Sequence, residues 1–254
     1  MQEEVVEVQK ETTQQEEKIS IFSKSYWVSA AKVAQKTNVL VFAALICALR
    51  IVVKSLRIPV IPGGLNFSFD AYINALGSIV YGPLIGLMVG AVSDTIGAIL
   101  FPSGTYFFPF IFVEMSSSFI FALFLWRRKL SFSRVIISKF TVSFVCNVIL
   151  TSLCMKWMYA YFATGKTYYF INTTRIAKNL IMFPLEGMLI VFVLNAFLPL
   201  LKKEKCVPLW QEGIKLNKKN ILLTILLTAL AVALVLLYIF VFKDILTKYN
   251  VKFL

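Results

Sequence analysis

Histidine is absent from the 254 residues. That removes His-based metal sites, catalytic triads and imidazole proton relays. Cysteine is scarce, with Cys47, Cys146, Cys154 and Cys206 and no Cys-x-x-Cys pair. Three of the four lie in or near apolar segments, so buried free thiols are expected. Acidic side chains are few, 13 Asp and Glu against 26 Lys and Arg. Between residues 38 and 200 they reduce to Asp70, Asp94, Glu114 and Glu186. An apolar h-region is missing from the opening MQEEVVEVQKETTQQEEKIS, so no cleavable signal peptide is expected. The TGKT at 164–167 resembles part of a phosphate-binding loop. That motif needs a glycine five residues before Gly165, and position 160 is alanine. Any energy for active work must come from an ion gradient or another subunit. No internal repeat is visible.

What is present is apolar. Hydrophobic residues make up 59% of the chain, with a mean hydropathy of +0.78. Apolar runs near 20 residues recur, which points to a polytopic membrane protein. The net charge of +13 sits in the loops between these runs. It is therefore read as a topology signal, not as a nucleic-acid surface.

Residues 21–36 place Phe22, Tyr26, Ala30 and Val33 at helical spacing, as in an amphipathic helix on a membrane surface. Six core spans follow: 38–56, a short 68–81, 83–101, 106–126, 135–162 and 174–200. Gly82-Pro83 separates the second from the third. A basic stretch leads to a seventh run, 221–242. Residues 1–37, 127–139 and 202–219 carry five, five and six Lys and Arg, sixteen of the 26. The bias places the N-terminus inside, and loops 57–67, 102–105 and 163–173 outside.

Charges at membrane depth are costly and face protein or a wet cavity. Arg50, Lys54 and Arg57 share one face of the first span. Asp94 lies about 17 Å above the inner end of its helix and Arg50 about 18 Å, so these two could pair, either as a buried structural ion pair or beside a ligand. Lys54 and Arg57 remain to meet an external anion. Ala44-x-x-x-Ala48 points about 130° away from the basic stripe, at about 100° per residue. Small residues at this spacing allow close helix approach. Gly86, Gly90, Asp94 and Gly97 form a second narrow stripe, read as internal packing. After an outer turn at 102–105, Tyr106, Phe107, Phe108, Phe110 and Phe112 are expected to open the fourth helix, with Glu114 below them. Aromatics at an interface are usually anchors. Combined with Glu114 and the basic stripe, they fit a pocket for a flat, partly anionic molecule. Asn147, Trp157, Tyr161, Arg175 and Lys178 are placed to reach the same outer cavity. For Arg175 and Lys178 the alternative is ordinary interfacial snorkelling. Glu186, after Pro184, is expected to satisfy backbone or pair internally.

Three pieces carry a family resemblance: AALICALRIVVKSLRIP, GSIVYGPLIGLMVGAVSDTIGAILFPSGTYFFPF and TRIAKNLIMFPLEG. Residues 38–200 resemble the substrate-binding S components of energy-coupling factor (ECF) vitamin transporters, in particular the folate group. The resemblance implies an all-α membrane protein. Its six-helix S-component bundle spans 38–200. Around it lie a cytoplasmic segment 1–37 with an amphipathic helix, a basic linker 201–220, and an additional C-terminal transmembrane helix in 221–254. It implies vitamin capture without an enzyme activity or a cofactor. The implied partners are a transmembrane coupling subunit and two ABC ATPases, a small-molecule vitamin and membrane lipid, with no nucleic acid. Ala44 and Ala48 match the coupling-subunit docking face. The ligand is implied to sit under loops 57–67, 102–106 and 163–174. Lys54, Arg57, Asp94, Ser103, Thr105, Tyr106, Phe110, Glu114, Asn147, Trp157, Arg175 and Lys178 form the candidate substrate site. The chain departs from the folate pattern at Pro109-Phe110-Ile111, at Glu114 and at Asp70, all near the expected pocket. Other flat aromatic vitamins, a membrane-embedded enzyme using Asp94 or Glu114, and a purely structural subunit are the competing readings.

Overall fold

The structure is a computed structural model. It describes residues 21–56, 58–61, 65–67, 69–102, 106–162, 173–204, 206–208 and 211–237. A short helix α1 (Lys24–Ala34) precedes α2 (Thr37–Ser55). Strands β1 (Ile58–Ile61) and β2 (Leu65–Phe67) pair antiparallel, with Ile58 opposite Phe67. Then come α3 (Asp70–Leu100), α4 (Phe110–Leu125), α5 (Phe132–Tyr161), α6 (Thr173–Lys203) and α7 (Lys218–Leu237). The small hairpin lies within residues 57–67, which are expected to form an outer loop.

The stripe on α1 is covered by protein. Tyr26, Ala30 and Val33 are buried against Trp126, Leu84 and Leu123, while Phe22 is exposed. Tyr26 meets the Trp126 ring edge-on at 5.1 Å. Burial pushes its hydroxyl pKa up to about 12, so it stays neutral. Ser23 caps the helix by accepting a hydrogen bond from the Ser25 backbone N–H.

Helix α3 is two arms rather than one rod. Gly82 has φ 73° and ψ −172°, a region essentially reserved for glycine. Pro83 follows and starts the second arm with its fixed φ. Ser78 Oγ lies 3.4 Å from the Ser118 carbonyl oxygen, and a Cβ added at Gly86 would lie 3.4 Å from that same oxygen. Asp70 and Asp94 would be about 36 Å apart on a straight helix. Instead both reach neighbouring cations on α2. The chain therefore folds back at Gly82, where the sequence separates the second span from the third. The Gly86 and Gly90 stripe packs internally, as expected. A Cβ at Gly90 would stand 2.8 Å from the Glu114 carbonyl oxygen, so only glycine lets α3 and α4 approach this closely.

Helix α4 begins at Phe110, with Pro109 at its N-cap. Tyr106, Phe107 and Phe108 thus form the turn before the helix instead of its first residues. Pro109 lacks an N–H and suits a helix start, which sets the boundary. Helix α5 runs 30 residues and turns π-helical over Ser143–Leu150. Among the described residues, α2, α3, α5 and α6 are long and apolar enough to cross a membrane. The core joins α2 to α6: Ile46, Leu76, Ile79, Phe121, Val135, Ile190 and Leu194 are all buried in it. Cys47, Cys146 and Cys154 are buried free thiols and Cys206 is a half-buried one.

Candidate functional site

All four acids of the core end in ion pairs. Arg50 is fully buried and donates from Nε to Asp70 Oδ1 and from Nη2 to Asp70 Oδ2, both at 2.9 Å. Nη2 also donates to Glu114 Oε2 at 2.7 Å, and Nη1 to Ser118 Oγ at 3.0 Å and Asn74 Oδ1 at 3.4 Å. One turn further along α2, Lys54 Nζ lies 3.2 Å from Asp94 Oδ1 and 3.5 Å from Glu114 Oε1. Glu114 therefore bridges the two cations. Lys139 of α5 pairs with Glu186 of α6 at 2.5 Å.

This wiring corrects two expectations. Arg50 takes Asp70 and Glu114, and Asp94 goes to Lys54. The guanidinium fork matches a carboxylate bidentately, whereas an ammonium is a point charge that two acids can share. The fold-back at Gly82 brings Asp70 to the level of Arg50, which a count along a single helix does not show. Lys54 is consequently engaged by protein. Lys139 is also relocated: it counted among the inner-loop charges, but lies buried within α5.

The cluster is not sealed. Glu114, Asp94 and Asp70 keep 26%, 18% and 14% of their side-chain surface exposed, while Arg50 keeps none. The carboxylate side chains are partly exposed and the guanidinium is not. Two cations, Arg50 and Lys54, stand against three carboxylates, leaving one negative charge in excess.

One turn above Glu114 on the same face of α4 stands Phe110. It belongs to an aromatic group centred on buried Phe107. Phe110, Trp157, Tyr161 and Phe162 surround that ring at centroid distances of 5.9–6.2 Å. Tyr106 and Trp157 remain exposed. Cys154 Sγ donates to the Pro109 carbonyl at 3.5 Å and ties α5 to this turn. Asn147 lies in the π-helical stretch and donates to Asn179 Oδ1 of α6 at 2.8 Å. Asn179 donates in turn to the Arg175 carbonyl at 2.9 Å. Arg175 and Lys178 sit half-buried on the same stretch of α6.

The structure thus brings together Lys54, Asp94 and Glu114, and separately Phe110 with Trp157. Asn147, Arg175 and Lys178 form a third group on α5 and α6. Arg57, Ser103 and Thr105 lie outside the described residues, as do loops 62–64 and 163–172. Sequence reasoning left Arg50, Asp70, Asn74, Ser118 and Phe107 out of the candidate site. The scarcity of core acids was the usable signal, since Asp70 is one of only four.

Ala44 and Ala48 are both exposed on α2, on a face shared with Val41, Leu45 and Val52. This face is opposite the one that carries buried Arg50.

Residues 34–203 match the family model described as ECF-type riboflavin transporter, S component. The chain belongs to the S components of ECF transporters. It is therefore a transporter subunit and a multi-pass membrane protein. The S component is 30% identical over 159 residues to the folate transporter FolT of Clostridium novyi (strain NT), covering 61% of this chain and 87% of that relative. It is 32% identical over 160 residues to the folate transporter FolT of Leuconostoc mesenteroides subsp. mesenteroides, covering 63% and 85%. A crystal structure of FolT bound with folic acid matches with a TM-score of 0.51 at 23% identity, covering 60% of this chain and 89% of that one. The last likeness speaks for the fold alone. It agrees with the expected S-component bundle, and α7 is added after the family match ends at residue 203.

Proposed function

We propose that this S component captures folate for an ECF importer. Its two curated relatives are both named folate transporters, and this is the observation that carries the reading. The site chemistry supports it. Glu114 and Asp94 offer acceptor oxygens beneath a group of edge-on and tilted rings, which suits the N–H edge of a pterin. Arg175, Lys178 and Arg57 would supply the cations that meet the ligand's two carboxylates. Ser103, Thr105 and Tyr106 would close the pocket from the second loop. The exposed Ala44 and Ala48 face would dock on the coupling subunit, and two partner ATPases would power release. With Lys139 set aside, fifteen of the 26 Lys and Arg still favour a cytoplasmic N-terminus.

A second reading has support in the family model's own description, which names riboflavin. Riboflavin is flat and donor-bearing but carries no carboxylate. The two are separated by titrating the purified protein in detergent with folate, a reduced folate and riboflavin, following Trp and Tyr quenching. Tight folate binding with weak riboflavin binding is expected. The reverse order would move the substrate and keep the fold.

A further inference from the structure

Helix α7 lies beyond the family match, and its packing leaves a gap. It runs antiparallel to α6, with Thr224 Oγ1 3.9 Å from Met188 Sδ. Its approach is fixed by Asn195, whose side chain both donates to the Ile214 carbonyl at 2.9 Å and accepts from the Ile214 N–H at 2.7 Å. Between Leu185 of α6 and Thr224, Ile225, Thr228, Ala229, Val232 and Ala233 of α7 runs a groove of about 590 Å³. Its two hydroxyls are spent: Thr224 donates to the Asn220 carbonyl at 3.0 Å and Thr228 to the Thr224 carbonyl at 2.8 Å. The groove therefore offers hydrocarbon contact and no donor, so it suits an alkyl chain and not a vitamin.

Its dimensions are those of one leaflet. From Thr224 to Ala233 the helix rises about 13.5 Å. Half of a hydrocarbon core is about 15 Å. Residues 220–237 carry no charge, so this stretch faces lipid or protein. At the near end, Lys215, Lys218 and Lys219 are all exposed, against the single acid Glu212 in the same segment. Lys219 stands about 7.5 Å before the groove opens. Basic residues flanking a crevice between membrane helices bind anionic headgroups.

We propose that an anionic phospholipid occupies this site, one acyl chain in the α6–α7 groove and its phosphate on Lys218 and Lys219. The acyl chain covers the open apolar face that α7 and Leu185 present. It would act as a fixed component of the protein, distinct from the exchanging lipid around it.

Native mass spectrometry of the full chain tests this after incubation with phosphatidylglycerol or phosphatidylcholine of identical chains. Retention of one phosphatidylglycerol per protein is expected, several-fold above phosphatidylcholine. Lys218→Gln with Lys219→Gln should remove that preference. Ala229→Trp, which fills the groove, should remove the bound lipid itself; Ala233→Leu serves if the tryptophan variant does not fold. Equal retention of both lipids would overturn the headgroup assignment. Retention unchanged in the groove variants would overturn the groove. Protection from thermal unfolding by inorganic phosphate equal to that by phosphatidylglycerol would reduce the site to its lysines. A stable dimer would give the groove to a second copy. The last two outcomes also overturn the proposal.

Discussion

Arg50 and Asp70 meet through two parallel hydrogen bonds of 2.9 Å, and the guanidinium is wholly buried. Asp70 opens α3, so this pair fastens its first arm to α2. Glu114 then attaches α4 to the same guanidinium. A charge without partners at this depth would be prohibitive, so the three residues form one unit.

Removing Arg50 alone should therefore be severe. Arg50→Met leaves two carboxylates facing each other and is expected to cost about 3–5 kcal/mol. Adding Asp70→Asn and Glu114→Gln removes the stranded charges and should restore most of the loss. Thermal unfolding in detergent checks this. A triple variant no better than the single one would mean that packing, not charge, sets the cost.

Under the proposed function, Glu114 serves both the structure and the ligand. Glu114→Gln keeps a carbonyl for Arg50 but halves the acceptor capacity and removes the charge. A charged hydrogen bond is worth about 1.5–3 kcal/mol, so folate affinity should fall roughly tenfold to a hundredfold. Unfolding temperature should move less than in Arg50→Met. Unchanged affinity would confine Glu114 to holding the cations.

The exposed alanine face makes a separate prediction. Ala44→Trp or Ala48→Trp adds bulk where neither residue touches the core. Assembly with the coupling subunit should be lost in pull-downs, while ligand binding by the isolated subunit persists. Recovery of the full complex from both variants would reject this face as the docking surface.

Gly82 is a backbone requirement. Gly82→Ala forces an alanine into φ 73° and places its Cβ 2.8 Å from the Trp126 ring. A loss of about 1–3 kcal/mol is expected from the backbone strain alone. Gly86→Ala meets its nearest atom at 3.4 Å and should be much milder. Equal unfolding temperatures for the two would refute the strained turn.

The proposed carboxylate clamp is tested at two of its cations. Arg57→Ala and Arg175→Ala should each weaken folate binding and leave riboflavin binding nearly unchanged. Equal losses for both ligands would indicate a structural role.

Much of this architecture could be read along the chain. Gly82-Pro83 marks the fold-back because one residue supplies the forbidden φ and the next cannot continue a helix. The α2 faces follow from helical period alone: Arg50 lies inward, Ala44 and Ala48 outward. The start of α4 was misplaced by four residues, since aromatic density and helix propensity do not register that Pro109 ends the turn. Lys139 was misplaced because a lysine near a helix end reads as a loop charge until its acid partner on another helix is known.

By itself the sequence determined the membrane class, the break in α3 and the identity of the four acids that had to find partners. Each depends on local hydropathy or local backbone geometry, which a single segment carries. Only the tertiary structure decided which cation each acid took. Arg50, Asp70 and Glu114 come from three segments, and their meeting depends on how α3 folds back and on how closely Gly90 lets α4 approach. No residue along the chain records those distances. The α6–α7 groove is of the same kind, because it is a shape left between two helices that each look complete alone.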